Sequence, residues 1–297
     1  MTNEKQDILV DISDDDLPKL LEMYDKHKDW APTAYSTILT GIEWKRKSKE
    51  KYTTFMSPHS CWREDGTFFV LVTCHCFDIF IFSLDDTGKN IYEGILKTRR
   101  FNPGEFKDRD SWFYMVHNKF YPIVSKAIKD KGWTSTADIH YDMYSIPREQ
   151  ALKFDTECPP DVYIKPLDKS AAHQISSVWP HNYNNSHKYV ALLIEMNGGF
   201  GVYLKSTDEL AAWVLLSAMG QLTILQTAEG HQKKGYASLI TKYISRKLAK
   251  KGYNASGGII HGNYSSKAMF EKIGFRNLGM GTYIVFAKAT DRNIMDP

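Results

Sequence analysis

The tract Leu222-Thr223-Ile224-Leu225-Gln226-Thr227 is apolar and β-branched, and within a few residues it gives way to Gln232-Lys233-Lys234-Gly235-Tyr236-Ala237. The pattern predicts a strand, a short polar loop, and then an amphipathic helix with glycine and alanine at its first turn. Few junctions constrain a chain more. The first N–H groups of a helix have no partner within it, and its dipole is positive at that end, so it can hold an anion without a dedicated side chain. Small residues at 235 and 237 let a phosphate come close to the backbone, and Lys233 and Lys234 add positive charge at the rim. A phosphate-bearing ligand is the expectation, held by the backbone from Lys233 to Ala237.

The elements around this junction read clearly. Gly201 to Leu204 and Leu210 to Ser217 are expected strands, joined through the turn-forming Ser206-Thr207-Asp208. The helix from Gly235 to Lys251 places Tyr236, Leu239, Ile240, Tyr243, Ile244 and Leu248 on one face, and Gly252 stops it. Gly258-Ile259-Ile260 is an expected strand, Ser265 to Ile273 a helix, and Tyr283 to Ala287 a last strand.

A second block lies one helix and one strand beyond the first: Asn263-Tyr264-Ser265-Ser266-Lys267-Ala268-Met269-Phe270-Glu271-Lys272-Ile273-Gly274-Phe275. In this order and separation, the two blocks resemble the GNAT superfamily of acyl-CoA-dependent N-acyltransferases. There R/Q-x-x-G-x-G/A grips the coenzyme A pyrophosphate and N-x-x-S/A-x-x-x-Y/F-x-x-x-G-F forms the helix beside it. The C-terminal half looks most like the glycine N-acyltransferase branch and its insect relatives, over about residues 160–290. The resemblance implies acyl-CoA as co-substrate, with Leu225, Gln226 and Thr227 pairing along the pantetheine arm. Gln232, Lys233, Lys234, Gly235, Tyr236 and Ala237 would hold the pyrophosphate, and Asn263 and Ser266 would meet the arm. Asn263 fits a helix N-cap equally well.

Organisation follows from Cys158-Pro159-Pro160, where consecutive prolines favour extended chain and exclude helix. The expected division is 1–158 and 159–297. Each half opens alike, with a strand at Ile8 to Ile12 and at Val162 to Ile164. Helices follow at Asp14 to His27 and Lys169 to Trp179, then at Ala34 to Lys47 and His187 to Asn197. The expected fold class is α+β: two tandem GNAT-like lobes, each a mixed, mostly antiparallel sheet flanked by helices. In the first half, strands expected at Phe68 to Thr73 and Asp78 to Ser83 lead into Leu84-Asp85-Asp86-Thr87-Gly88-Lys89-Asn90 and a helix from Ile91. Paired aspartates repel phosphate, so only the C-terminal lobe is expected to bind acyl-CoA, the first lobe serving to shape the acceptor pocket.

The remaining signals bound the partners. The net charge over 297 residues is +3, and no apolar run reaches the length of a membrane span. No nucleic-acid or membrane partner is expected, and the basic run Lys45 to Lys51 reads as a solvated helix end. The start, Met1-Thr2-Asn3-Glu4-Lys5-Gln6-Asp7, has the character of neither a secretory signal nor a transit peptide. Four scattered cysteines make no disulfide framework, which suits a reducing cytoplasm. Cys74-His75-Cys76 has no second ligand pair spaced to complete four-coordination, so it reads as a strand with alternating faces, and no metal is expected. Trp112-Phe113-Tyr114 with Phe120-Tyr121 reads as buried contact between lobes.

The chemistry implied by the resemblance is attack of a neutral amine on a thioester, which needs a proton acceptor and a stabilised oxyanion and thiolate. In the glycine N-acyltransferase branch a glutamate just before the loop looks like the base. Here the tract is Ala228-Glu229-Gly230-His231-Gln232, one position out of step, so Glu229, His231, His261 and an ordered water all stand as candidates. Where the superfamily often has a tyrosine to protonate the thiolate, this chain has Phe270. Tyr264 reads as surface and Tyr283 as core, and a thiolate of ordinary pKa can leave into water. A small amine or amino acid, glycine-like, is the expected acceptor. Acetylation of a protein N-terminus or lysine, and a catalytically silent acyl-CoA-binding or interaction protein, stay open.

Overall fold

Apolar runs that can be covered on both faces become the central strands of this protein, and alternating or mixed runs become its edges. The computed structural model describes residues 6–102 and 111–288. The tract 1–5, most of the segment read above for a leader, lies outside the described residues. The chain begins β1 (Leu9–Asp11), α1 (Leu17–Asp25), α2 (Pro32–Lys47), β2 (Thr53–Pro58), α3 (Trp62–Asp65), β3 (Phe68–Val72) and β4 (Phe77–Phe82). It continues through α4 (Lys89–Lys97), β5 (Ser111–His117), α5 (Tyr121–Asp130), β6 (Trp133–Ile146) and α6 (Arg148–Ala151). The second half holds β7 (Val162–Pro166), α7 (Ala172–Val178), α8 (Ser186–Asn197), β8 (Gly199–Leu204), β9 (Leu210–Leu216) and β10 (Leu222–Thr227). It closes with α9 (Tyr236–Lys250), β11 (Ala255–Ile260), α10 (Tyr264–Lys272) and β12 (Arg276–Lys288). The class is α+β, sheets flanked by helices, as expected.

Two compact units emerge, and each is assembled from separate stretches of chain. The first takes residues from 1–25, 48–142 and 279–297, the second 26–47 and 143–278. The cut expected at Cys158-Pro159-Pro160 is a division in chain order, whereas the spatial grouping interleaves the halves.

In the first unit the strands run β1-β2-β3-β4-β5-β12-β6. Neighbours from β1 to β4 are antiparallel, and β4 pairs parallel with β5 over Phe77–Ile79 and Ser111–Phe113. Phe68, Phe69, Val70, Ile79, Phe80 and Ile81 are fully buried, each contributing about 1.5–3 kcal/mol. Tyr24 of α1 meets Phe68 edge-on at 5.3 Å and donates its hydroxyl to the Gly66 carbonyl at 2.8 Å. β12 lies antiparallel on β5, from Gly281 opposite His117 to Phe286 opposite Ser111. A side chain at Gly281 would collide with the Tyr141 ring, so glycine is what lets β12 lie flat there.

The second unit is built on the antiparallel sheet β10-β9-β8-β7. β9 is buried along its whole length. Ile240, Ile244 and Leu248 of α9 join Val202, Ala212 and Val214 in one apolar core. β11 lies beside β6 rather than in the sheet of β10, and the Ser145 hydroxyl donates to the Ala255 carbonyl at 3.2 Å.

The helix α2, which the matching of the two halves assigns to the first lobe, belongs to the second unit instead. The reason is a set of buried hydrogen bonds. Ser36 Oγ donates to the Met219 carbonyl at 2.9 Å, and Gln221 Nε2 donates to Ser36 Oγ at 2.9 Å. Trp44 Nε1 donates to Asn197 Oδ1 at 2.6 Å, and Asn197 Nδ2 donates to the carbonyls of Leu216 and Ser217 at 3.1 and 2.7 Å.

Two further expectations are corrected. Cys74-His75-Cys76 is not strand: β3 and β4 form a hairpin whose last pair is Val72 with Asp78, so the tripeptide sits in the connecting loop. The 14-residue β6 was not expected at all. Trp112, Phe113 and Tyr114 lie within β5, and Phe113 and Phe120 are fully buried in the first unit. No helix among the described residues is long and apolar enough to cross a membrane, and none of the four cysteines is disulfide-bonded.

Candidate functional site

β10 is an edge strand: its ladder runs to β9 on one side. β11 approaches it at Gly257, where an added Cβ would lie 3.3 Å from the Leu222 carbonyl oxygen, yet the two belong to different sheets. The register of β10 shifts between Thr223 and Gln226, and Ile224 takes a φ of 48°. A β-branched residue in the left-handed region is a costly conformation that surrounding structure has to hold in place. The bulge leaves a ladder position of β10 unpaired and kinks the strand. Leu225, Gln226 and Thr227 are all partly exposed. Thr227 pairs with Ala212, and Gln226 Nε2 donates to the Val178 carbonyl at 2.6 Å.

From the end of β10 the chain turns through Gly230 (φ 80°), Lys233 (φ 61°) and Gly235 (φ 83°) into α9. The loop is pinned at its base, where Ala228 N–H donates to the Ala211 carbonyl at 2.9 Å and His231 N–H to the Ala228 carbonyl at 3.1 Å. The first bond of α9 runs from Leu239 N–H to the Gly235 carbonyl at 3.0 Å. The N–H groups of Tyr236, Ala237 and Ser238 therefore lie ahead of the helical ladder. Among the described residues no side chain caps this helix, and an added Cβ on Gly235 would meet nothing within 4 Å. Gln232, Lys233 and Lys234 are exposed around the mouth. The structure thus gathers Gln232 to Ala237 around the leading N–H groups of α9.

Tyr236 contributes backbone only. Its ring is buried, and its hydroxyl donates to Asp161 Oδ2 at 3.0 Å. Burial, then that hydrogen bond, raises its pKa. Asn263 caps α10, its Oδ1 accepting from Ser266 N–H at 3.2 Å, while Ser266 is half-buried on the first turn.

The candidate bases separate. Glu229 is exposed on the loop. His231 is tucked in, with Nε2 3.0 Å from Glu209 Oε1 and its side chain 12% exposed; its Nδ1 is buried with no hydrogen-bond partner among the described residues. His261 is exposed just past β11. Phe270 is buried between Phe275, at 4.6 Å, and Tyr144, at 6.1 Å. Tyr264 is 78% exposed, as expected, and Tyr283 packs among Tyr114 and Tyr141 in the first unit. Sequence reasoning missed Glu209, Asp161 and the bulge at Ile224. Only the turn cluster at 206–208 hinted at the first.

The matching junction in the first unit carries carboxylates. Gly88 (φ 62°) begins α4 as Gly235 begins α9, but Asp85 accepts from Thr87 N–H at 3.2 Å and Asp86 pairs with Lys119 at 2.9 Å. Thr87 holds the Asp85 carboxyl below its ordinary pKa, so negative charge already stands at that helix mouth.

Comparison with known proteins bears on the fold. A family model described as FR47-like protein matches residues 199–285, and a domain of unknown function (DUF5645) matches residues 8–127. No curated protein matches the sequence. Among solved structures, a Drosophila protein is 20% identical with a TM-score of 0.84, covering 95% of this chain and 99% of its own. A tandem GNAT protein from the clavulanic acid biosynthesis pathway is 10% identical with a TM-score of 0.51, covering 95% and 98%. The fold is that of a tandem GNAT protein. The FR47-like match runs from β8 through most of β12.

Proposed function

We propose that the C-terminal GNAT lobe, formed from the chain after Cys158, binds an acyl-CoA and transfers its acyl group to a small amine or amino acid of the glycine type. The observation that carries this reading is the open edge of β10 leading into the uncapped mouth of α9. Pantetheine is an extended amide chain, and an edge strand offers it N–H and C=O groups in the manner of another strand. The pyrophosphate sits on the N–H groups at Gly235 to Ala237, each charge-assisted bond contributing about 1.5–3 kcal/mol. Lys233 and Lys234 neutralise it from the rim. The N–H freed by the bulge at Ile224 serves as oxyanion donor for the tetrahedral intermediate. Glu229 takes the ammonium proton, directly or through a water, and the thiolate leaves into solvent because Phe270 has no proton to give.

The test is coenzyme A affinity of two variants at one glycine. Gly235 has a positive φ, so any replacement carries strain, and asparagine tolerates that region best. Gly235→Asn should keep binding within about tenfold, whereas Gly235→Glu should abolish it, since a carboxylate would occupy the phosphate seat. Equal affinities would remove the loop from the reading.

A second reading, a silent acyl-CoA-binding protein, draws on Phe270 and on the outward position of Glu229. Thiol release measured across acyl-CoA donors and amines decides between them. Coenzyme A binding without release for any pair would favour the silent protein.

A further inference from the structure

The loop joining β3 to β4 places three different metal-binding groups side by side in the first unit. One donor atom each from His75, Cys76 and Asp78 lies within 4.8 Å of the others. His75 Nε2 is 3.5 Å from Asp78 Oδ2. Donors held by one zinc ion at about 2.0–2.3 Å and tetrahedral angles stand about 3.3–3.6 Å apart. The imidazole–carboxylate spacing is already an edge of such a tetrahedron.

The framework beneath is a buried, paired strand. Asp78 sits opposite Val72 on β3 and beside Trp112 on β5, and is 4% exposed. Its carboxylate cannot swing out to water. His75 and Cys76 reach over it from a four-residue loop, both half-buried. The mixture of donors is selective too. Magnesium and calcium take oxygen ligands, and copper(I) favours soft sulfur, while zinc accepts thiolate, imidazole and carboxylate together.

We propose that His75, Cys76 and Asp78 form a zinc site at the tip of the β3–β4 hairpin, with water in the fourth position. On binding, the Cys76 thiol proton leaves to solvent and the sulfur lone pair takes the metal. The ion ties the loop to the first residue of β4 that pairs with both neighbouring strands. The site lies within the first unit and does not depend on the acyl-CoA reading.

The experiment uses the untagged full chain, stripped with a chelator, desalted, and titrated with Zn²⁺ alone by calorimetry. One zinc per chain is expected, with Cys76→Ser and Asp78→Asn each weakening affinity at least tenfold. In parallel, Co²⁺ should give a thiolate charge-transfer band that is lost in Cys76→Ser and kept in Cys74→Ser and Cys61→Ser. No zinc uptake by the parent protein, no such band on it, or a band that survives Cys76→Ser would overturn the site. The first two are read on the unaltered chain, so a variant that fails to fold does not shelter the proposal.

Discussion

Glu229 and His231 stand two residues apart on one loop and meet opposite surroundings. Glu229 is exposed, whereas His231 is held by Glu209. If Glu229 is the base, Glu229→Gln should lower kcat by about 10²-fold or more with coenzyme A affinity unchanged. Equal turnover would remove it from the mechanism. For His231 the geometry favours a tether on the loop. Glu209→Gln should weaken coenzyme A affinity several-fold with little change in kcat; a loss in kcat alone would mark the pair as an oriented base instead. The junction proposed as the seat was legible as strand, loop, glycine and helix because these follow one another within sixteen residues of sequence from Leu222 to Ala237. Its partners were not. Glu209 lies 22 residues from His231 and Asp161 lies 75 from Tyr236, separations at which a sequence carries no periodic signal. Nor does any propensity announce a bulge at isoleucine.

Helix α9 declared itself through burial at helical spacing, β3, β4 and β9 through apolar runs covered on both faces, and β10 through a β-branched start that alternates. β6 did not. It is buried at Trp133, exposed from Ser135 to Asp138 and buried again only from Tyr141 towards Ile146, so its first half lacks both alternation and an apolar run. The placement of α2 escaped for another reason: its buried face is half polar, with Ser36, Thr37 and Thr40 lying inward beside Ala34, Ile38, Ile42 and Trp44. Asn197 is the hub of that packing. Asn197→Ala should cost about 1–3 kcal/mol, read as a lower urea midpoint, because Trp44 Nε1 and two carbonyls lose their partner. An unchanged midpoint would show that α2 is held by shape alone. At the end of β5, His117 Nδ1 accepts from Lys119 N–H at 3.2 Å. Burial first, then the Lys119 charge, holds its pKa below the ordinary 6.5. The unfolded chain therefore binds the proton more readily, and the contribution of His117 is intact above about pH 6.5 and is lost as pH falls towards its folded pKa. The urea midpoint should drop over that range, and less so in His117→Gln; identical profiles would refute the assignment.

For the molecule as a whole, the second unit takes residues 26–47 as well as 143–278. A fragment of 159–297, the lobe that chain order suggests, omits α2 and the end of β6. We expect it to be insoluble or to lack a cooperative thermal transition by calorimetry, and a sharp transition would show that those segments are dispensable.

In the first unit β12 lies between β5 and β6. A ribosome adding about 5–20 residues per second makes β5 and β6 on the order of ten seconds before it reaches β12. Through that interval β5 offers a bare backbone edge to whatever passes. Nascent chains of this protein are thus exposed to misjoining while their beginning waits for their end.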